Sequence, residues 1–381
     1  MGVSASAWAG EPYVPDDDDT VLYELPQAWR QQRDAVTRAR EAWAADPGDV
    51  EKACAVAGAD LRLGQATGDP RFYGYARAAL GPWWDESDAP PQVLAIRAKL
   101  KETDHDYAGA IADLTELLQQ RPRETQAWIE LTNLHRVRGD YVAALASVEQ
   151  LQAFATPVPV ALAHIPLLAV TGELDAADAQ LAAVRPVVES DWQSALSWLL
   201  IMQAQLARAR GEEMQAETFY RQAMARDDAS GYLRRSYADL LLMQGRDDAA
   251  LALCEDHTGD TGLLLRAAIA AKHTGDTERA AQWRDELQRR FEEIRLRGGE
   301  PHGRFEARST LEVLEQPDAA LELALANWEK QREQLDARHV LAAALAARNP
   351  DAAQPVLTFL QTHGTQDAEL QALIDSLESL P

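Results

Sequence analysis

Apolar and polar positions along the chain alternate with the period of amphipathic helices, and this helical pattern itself repeats. The repeat is clearest over residues 91–157, where Tyr107 and Tyr141 lie 34 residues apart, as do Ala110 and Ala144. Apolar, small and turn positions recur together at this offset. Each 34-residue segment is therefore predicted to form one helical hairpin that stacks on the next.

A small residue marks the second helix of each predicted hairpin. Two antiparallel helices pack closely only where one of them offers little bulk at the crossing. Each hairpin leaves an apolar face uncovered, and stacking on a neighbour buries that face. Helix propensity alone also favours alanine, but it does not produce a regular spacing. At spacings of 34, 34, 33, 39, 34, 30, 40 and 33 residues, the small positions are Ala76, Ala110, Ala144, Ala177, Ala216, Ala250, Ala280, Ala320 and Ala353.

The unit that begins at Thr125 resembles the tetratricopeptide repeat, whose pattern runs Trp, Leu-Gly, Tyr, Ala, Phe and Pro. The matching residues are Trp128, Leu131, Ala144 and Pro157, and the departures are Thr132, His135 and Val148. The resemblance, which is closest to exported bacterial proteins of this family, implies an all-α, right-handed α-solenoid of about nine hairpins with a capping helix at each end. It also implies a protein-interaction scaffold without enzymatic activity.

Irregular spacings and end segments suggest how the chain is divided. The spacing of 39 predicts extra residues around 185–191, and the spacing of 40 predicts a loop at 296–304 that could act as a hinge. The predicted segments are 1–19 as a signal-peptide remnant with an acidic stretch, 20–45 as an N-terminal capping helix, 46–365 as the repeat solenoid and 366–381 as a C-terminal capping helix.

The charge of the chain excludes some partners. Lys and Arg number 37 against 61 Asp and Glu, a net charge of −24. Such a surface repels phosphate backbones and anionic lipids, so nucleic acid is not expected as a partner. The acidity favours solubility, or attraction to a basic partner. No run of 18 apolar residues occurs, so no transmembrane segment is predicted.

The first residues suggest export. Ala7 and Ala9 stand in the small-x-small arrangement that export peptidases cut after. We therefore expect a periplasmic or otherwise exported protein; an ordinary polar terminus, and with it a cytoplasmic location, is the alternative.

Catalytic and metal-binding patterns are missing from the sequence. The four consecutive Asp at 16–19 lack the Gly and the terminal Glu of a calcium loop. His257 and His273 flank a helix of about a dozen residues, which separates them by about 18 Å and excludes a shared ion. Cys54 and Cys254 lie many hairpins apart and are predicted to be buried free thiols, because each repeat should touch only its neighbours. No catalytic residue, metal or cofactor is predicted.

The predicted binding surface lies on the first helix of each hairpin. In the proteins that this chain resembles, the second, fifth, ninth and twelfth positions of that helix face a ligand in a concave groove. Five of the eight residues so placed are cationic, although the chain is strongly anionic. Counted from Pro91, Thr125, Ser197, Gly231 and Thr261, they are Lys99, Asn133, Arg136, Gln205, Arg208, Arg235, Asp239 and Lys272.

These residues suggest a function. Arg forks with Asn and Gln amides suit carboxylates and polypeptide backbone, so the expected partner is a protein or peptide, acidic or carboxylate-ended. The alternative without a binding role is that these residues line the groove, are solvated and pair with nearby acidic side chains. A second functional hypothesis is a structural subunit of a cell-envelope assembly, which docks through its convex face, its edges or the aromatic segment 72–84. A third is an enzyme with a site hidden in the 296–304 loop.

Overall fold

The structure is a computed structural model that describes residues 27–67, 71–226, 230–296, 299 and 301–380, with side chains omitted for 27–32 and 66–67. The predicted signal-peptide remnant and acidic segment, 1–19, lie outside the described residues, and so does part of the predicted 296–304 hinge. By its contacts the chain divides into two compact units, the first ending at Pro82 and the second beginning at Trp83. The predicted segment boundaries stay predictions.

The first unit holds three helices, α1 (Gln27–Ala44), α2 (Val50–Thr67) and α3 (Arg71–Ala79). Helix α2 packs against both of the others. Val36 from α1 and Leu63 from α2 are buried together, and Ala76 of α3 is fully buried. Arg40 donates to the buried Asp60 at 2.6 Å.

The second unit is built from helices joined by short turns. They are α4 (Pro91–Thr103), α5 (Tyr107–Gln120), α6 (Thr125–Val137), α7 (Tyr141–Gln152), α8 (Pro157–Val170), α9 (Leu174–Asp191), α10 (Leu196–Ala209), α11 (Glu213–Met224), α12 (Gly231–Met243), α13 (Asp247–Cys254), α14 (Thr261–Thr274), α15 (Thr277–Leu296), α16 (Gly303–Arg308), α17 (Pro317–Lys330), α18 (Gln334–Ala346), α19 (Gln354–Thr362) and α20 (Ala368–Glu378). A π-helical turn, Ser309–Val313, follows α16.

These helices pair in sequence order, each even-numbered helix from α4 to α18 packing or joining closely with its successor. Within the described ranges every regular element is helical, and no strand occurs. The predicted all-α class is confirmed. The predicted first positions Pro91, Thr125, Gly231 and Thr261 begin helices α4, α6, α12 and α14.

The small residues occupy the helix crossings that the period predicts. Ala110, Ala144, Ala177, Ala216, Ala250, Ala320 and Ala353 are all fully buried. Ala280 is the exception, since it is only half-buried on α15. Helix α15 buries Leu287 and Phe291 instead, further along its length. The small residues are spaced by 30 positions before Ala280 and by 40 after it. This irregular spacing coincides with the helix that packs through Leu287 and Phe291 instead of its alanine.

Glycines in the left-handed region end the first helix of several pairs. Gly139, Gly172, Gly211, Gly245 and Gly275 have φ between 68° and 79°, a conformation typical of glycines that end a helix. The extra residues predicted near 185–191 lengthen α9, which runs to Asp191. Cys254 is buried and free, as predicted, but Cys54 is only half-buried, so the prediction of two buried thiols is wrong for Cys54.

Gly172 has a second requirement besides its positive φ. A Cβ built on Gly172 would lie 2.1 Å from the carbonyl oxygen of Gly364, in the turn between α19 and α20. We expect Gly172→Ala to destabilise the protein by about 1 kcal/mol from backbone strain, and by more again because backbone must move. Gly245→Ala is the matched control, since its φ is also positive but no described atom lies within 4 Å of its Cβ. Urea unfolding followed by circular dichroism measures both, and equal losses would contradict the close packing of the two turns.

Candidate functional site

The eight predicted residues define what we call the first-helix face, carried by α4, α6, α10, α12 and α14. Four of them have partners that lie before residue 261. Lys99 binds Glu102 at 2.6 Å, and Asn133 accepts from Arg136 at 2.8 Å. Gln205 donates to Tyr232, and Arg235 pairs with Asp260. The other four residues contact the C-terminal segment, by which we mean residues 301–380.

Arg136, on α6, holds a carboxylate from the start of α18. Its Nη2 donates to Oε1 of Glu333 at 2.9 Å, across 197 positions of sequence. Arg304 donates to the other oxygen of Glu333 at 2.6 Å and to both oxygens of Asp336. Asp336 is itself buried and accepts from Asn327. The cation of the first-helix face therefore enters a network whose other members belong to the C-terminal segment.

Arg208, on α10, holds a carboxylate of α20 with a two-pronged contact. Its Nε and Nη2 donate to Oε1 of Glu369 at 2.9 and 2.7 Å. Arg338, on α18, approaches Oε2 of the same carboxylate at 2.5 Å. Glu369 is 13% exposed, and two guanidinium groups from two helices clamp it. Helix α20 is thus fixed between α10 and α18.

Asp239, on α12, is the acidic member of the face and receives two cations. Arg266 on α14 and Arg308 on α16 each approach one of its carboxylate oxygens at 2.5 Å. All three side chains are buried. Burial by itself would raise the pKa of Asp239, but the two guanidinium groups overcome that effect and hold the pKa well below its usual range.

Lys272, near the end of α14, contacts the π-helical turn and the residues that follow it. Its Nζ donates to the carbonyl oxygen of Glu312 at 2.9 Å and pairs with Glu315 at 2.7 Å. Lys272 remains about a third exposed, so this pair contributes less than the buried ones.

Backbone and apolar contacts accompany these charge pairs. The amide of Arg332 donates to the carbonyl of Val137 at 2.7 Å, and Thr365 donates to that of Val170 at 2.9 Å. Phe359 lies edge-on to Tyr141, with ring centroids 5.7 Å apart. The prediction that each repeat touches only its neighbours is therefore wrong for α6, α8 and α10. Glu333, just before α18, and Glu369 of α20 supply the carboxylates that pair with Arg136 on α6 and Arg208 on α10. The spacing at which the repeats recur in the sequence carries no information about that pairing.

Burial has further effects on titrating groups here. Burial would raise the pKa of Glu333, but Arg304 and Arg136 lower it to about 2. Burial lowers the pKa of His302 to about 3, with Arg304 and His105 adding to the effect. Burial, with Arg308 and Arg304 nearby, holds the pKa of His339 well below its usual value. Both histidines are therefore neutral at pH 7.

The prediction from sequence omitted residues that pair directly with the first-helix face, Arg308, Glu333 and Glu369. It also omitted Arg304, Asp336 and Arg338, which contact those carboxylates or their neighbours within the C-terminal segment. Glu333 precedes α18 and Glu369 lies in the first turn of α20, positions where a carboxylate is favoured by the helix itself. Their partners lie 197 and 161 positions away, however, and one sequence does not show such pairs.

The described part of the chain contains no group of three His, Cys, Asp or Glu side chains arranged to hold a metal ion. No described helix is long and apolar enough to cross a membrane. A cavity of about 470 Å³ lies against α9, α10 and α11, where Arg210 pairs with Asp175 and Asp178. His273, in the last turn of α14, forms a hydrogen bond with Asp247 at the start of α13, at 2.8 Å.

Comparison with known proteins finds solved structures at low identity. No protein-family model and no curated protein matches the chain. A tetratricopeptide repeat protein from Parabacteroides merdae is 15% identical, with a TM-score of 0.34 over 69% of this chain and 93% of that one. The tetratricopeptide domain of P58(IPK) is 13% identical, with a TM-score of 0.23 over 92% of this chain and 98% of that one. The Cut9–Hcn1 hetero-tetramer of APC/C is 10% identical, with a TM-score of 0.24 over 92% of this chain and 94% of that one. Two of these three solved structures are described as tetratricopeptide repeat proteins.

The two cations on Asp239 generate a stability prediction. Asp239→Asn would leave the buried Arg266 without a carboxylate and Arg308 with Glu312 alone, and we expect a loss of about 3 kcal/mol in the free energy of unfolding. Asp175→Asn removes the fully exposed partner of Arg210 and should leave the free energy of unfolding nearly unchanged. Denaturant titration of both variants measures the difference. Similar small losses would show that the Asp239 cluster contributes little to the fold.

The buried histidines and Glu333 generate a pH prediction. The folded protein keeps His339 neutral, whereas the unfolded chain takes up a proton below pH about 6.5, so stability falls as pH falls through that value. The slope is about 1.4 kcal/mol per pH unit for one proton. Glu333, whose folded pKa is lowered, adds a further loss as pH falls from about 4.5 towards 2.

His339→Gln should therefore make the stability profile between pH 6.5 and 5 less steep, by the contribution of one proton, while the contribution of His302 and the loss below pH 4.5 remain. Unfolding free energies measured by denaturant titration at half-unit pH steps would test this. Parallel profiles for the variant and the wild type would contradict the burial of a neutral His339.

Proposed function

We propose that the protein is a non-enzymatic interaction scaffold, and that its first-helix face recognises a helical polypeptide bearing carboxylates. One observation supports this most directly. Arg136 and Arg208, two of the residues predicted to bind a partner, each hold the carboxylate of a helical segment, Glu333 and Glu369. The segment belongs to the chain itself, but the chemistry is the one expected of the partner.

The recognition uses guanidinium groups in a partly buried setting. Arg136 and Arg208 are 14% and 15% exposed, and each is oriented by a neighbour, Asn133 for Arg136 and the carbonyl of Ser236 for Arg208. A charge-assisted hydrogen bond between Arg and a carboxylate in such surroundings is stronger than one in water. A basic or uncharged segment would leave these cations unpaired, so the face selects for acidic segments.

A second candidate is a structural subunit that docks through the outer face of its second helices. On α7, Val142 is 81% exposed and Leu145 is 45% exposed, and on α11 Met214 is 86% exposed. Large apolar residues on the outside of an acidic protein favour this alternative. Trp83 and Trp84, from the aromatic segment, are half-buried, and their carbonyls accept from Arg97, which favours a structural role for them.

A comparison of binding variants separates the two candidates. We expect a protein that co-purifies with the tagged wild-type chain to be lost, by at least tenfold, with Arg208→Gln. The matched outer variant, Val142→Glu with Leu145→Glu, should retain it. Quantitative mass spectrometry of the captured protein gives the ratio. Retention with Arg208→Gln and loss with the outer variant would overturn the first-helix proposal in favour of outer docking.

A further inference from the structure

Helix α20 fills a slot whose walls come from two distant parts of the second unit. Its leucines Leu370 and Leu377 are buried in the core formed with α18. Its Glu369 reaches α10 through Arg208, and Ala368 lies against Gly211, at 3.3 Å from where a Cβ of that glycine would be. One wall is therefore apolar, and the other offers a cation and a close backbone approach.

We propose that this slot between α10 and α18 is the docking site for a partner helix, and that α20 is the intramolecular competitor that occupies it. The proposal rests on the proposed function, because it uses the same Arg208. The partner's chemistry follows from α20: an amphipathic helix with a carboxylate in its first turn, followed by apolar residues spaced as Leu370, Leu373, Ile374 and Leu377.

The C-terminal segment meets α6, α10 and α12 through buried charge pairs, whereas Phe305 and Val313 pack against apolar residues of α14. The apolar core of residues 307–380 is separate from the core that runs from Val158 to Ala270. Phe359 is the large apolar residue that joins the former to the cluster around Tyr141. Paired buried charges add little net stability compared with apolar contacts. Surfaces that are joined by such pairs therefore separate at a small free-energy cost.

Helix α20 has few neighbours in the second unit. It packs mainly on α18 and touches α10, and residues 363–367 connect it to α19. An element with few packing partners opens at a smaller free energy than the interior of a repeat stack. Its departure would uncover the apolar face of α18, and the stack then needs another amphipathic helix in the same place.

The connection formed by residues 363–367 determines how strongly α20 competes with a partner helix for the slot. A short connection gives an effective concentration on the order of 1 mM. A separate helix with an intrinsic dissociation constant of about 0.1 mM would therefore bind the closed protein roughly tenfold more weakly than the opened one. A partner overcomes this competition by making additional contacts along the first-helix face.

A fluorescent peptide with the sequence of residues 366–380 is a suitable probe, used with the full-length chain. Glu369→Arg places a cation between Arg208 and Arg338 and should release the chain's own helix, so that the peptide binds this variant at least tenfold more tightly than it binds the wild type. Glu378→Arg, at the exposed end of the same helix, is the matched control and should bind like the wild type. A peptide carrying Gln in place of its Glu369 should lose most of the gain.

Amide hydrogen exchange on the same proteins reports whether α20 is released, through faster exchange in 368–378. Equal peptide affinity for wild type and Glu369→Arg would overturn the competition but leave the proposed function intact. Release without any peptide binding would overturn the docking site and the proposed function together. Unchanged exchange would show that Glu369 does not hold the helix. Should Glu369→Arg misfold, Glu369→Gln removes the charge without repulsion, and a gain of about threefold is expected.

Discussion

Carboxylates and guanidinium groups that lie far apart in sequence meet in the second unit and determine which of its helices lie together. Arg136 with Glu333, Arg208 with Glu369, and Asp239 with Arg308 each join an early helix to the C-terminal segment. Each pair is largely removed from water, so losing one member leaves an unpaired charge in a poorly solvated place. The pairs therefore determine which surfaces meet, and they do so more specifically than apolar contact would.

This constraint changes the meaning of the cations in an anionic chain. The sequence analysis predicts that they bind an acidic partner, or else that they line a solvated groove and pair with nearby acidic side chains. Half of the eight residues are indeed satisfied by local groups, and the other half by the C-terminal segment. The first-helix face is therefore occupied, and recognition of another chain there requires exchange of one carboxylate-bearing helix for another. Such exchange preserves every charge pair, which is why the chemistry of the occupant predicts that of the partner.

Helix α20 has two structural roles, which it fulfils at the same time. It covers the apolar face of α18, as each repeat of a stack does for its neighbour. Through Glu369 it also pairs with Arg208 on α10. The second contact joins α20 to a helix that lies 161 positions earlier in the sequence, which the stacking of neighbouring repeats does not require.

The sequence by itself determined the helices and their local packing, because these depend on residues within one repeat of each other. The alanines from Ala110 to Ala250 are buried at helix crossings, and Gly172 and Gly275 end helices with positive φ, since only short-range geometry is involved. The half-exposed Ala280 and the half-buried Cys54 departed from expectation where the spacing became irregular or the helix lay in the smaller first unit. Only the tertiary structure decided that α18 and α20 lie against α6 and α10. That contact depends on complementary charges brought together from 161 and 197 positions away, and neither period nor composition records which carboxylate meets which guanidinium.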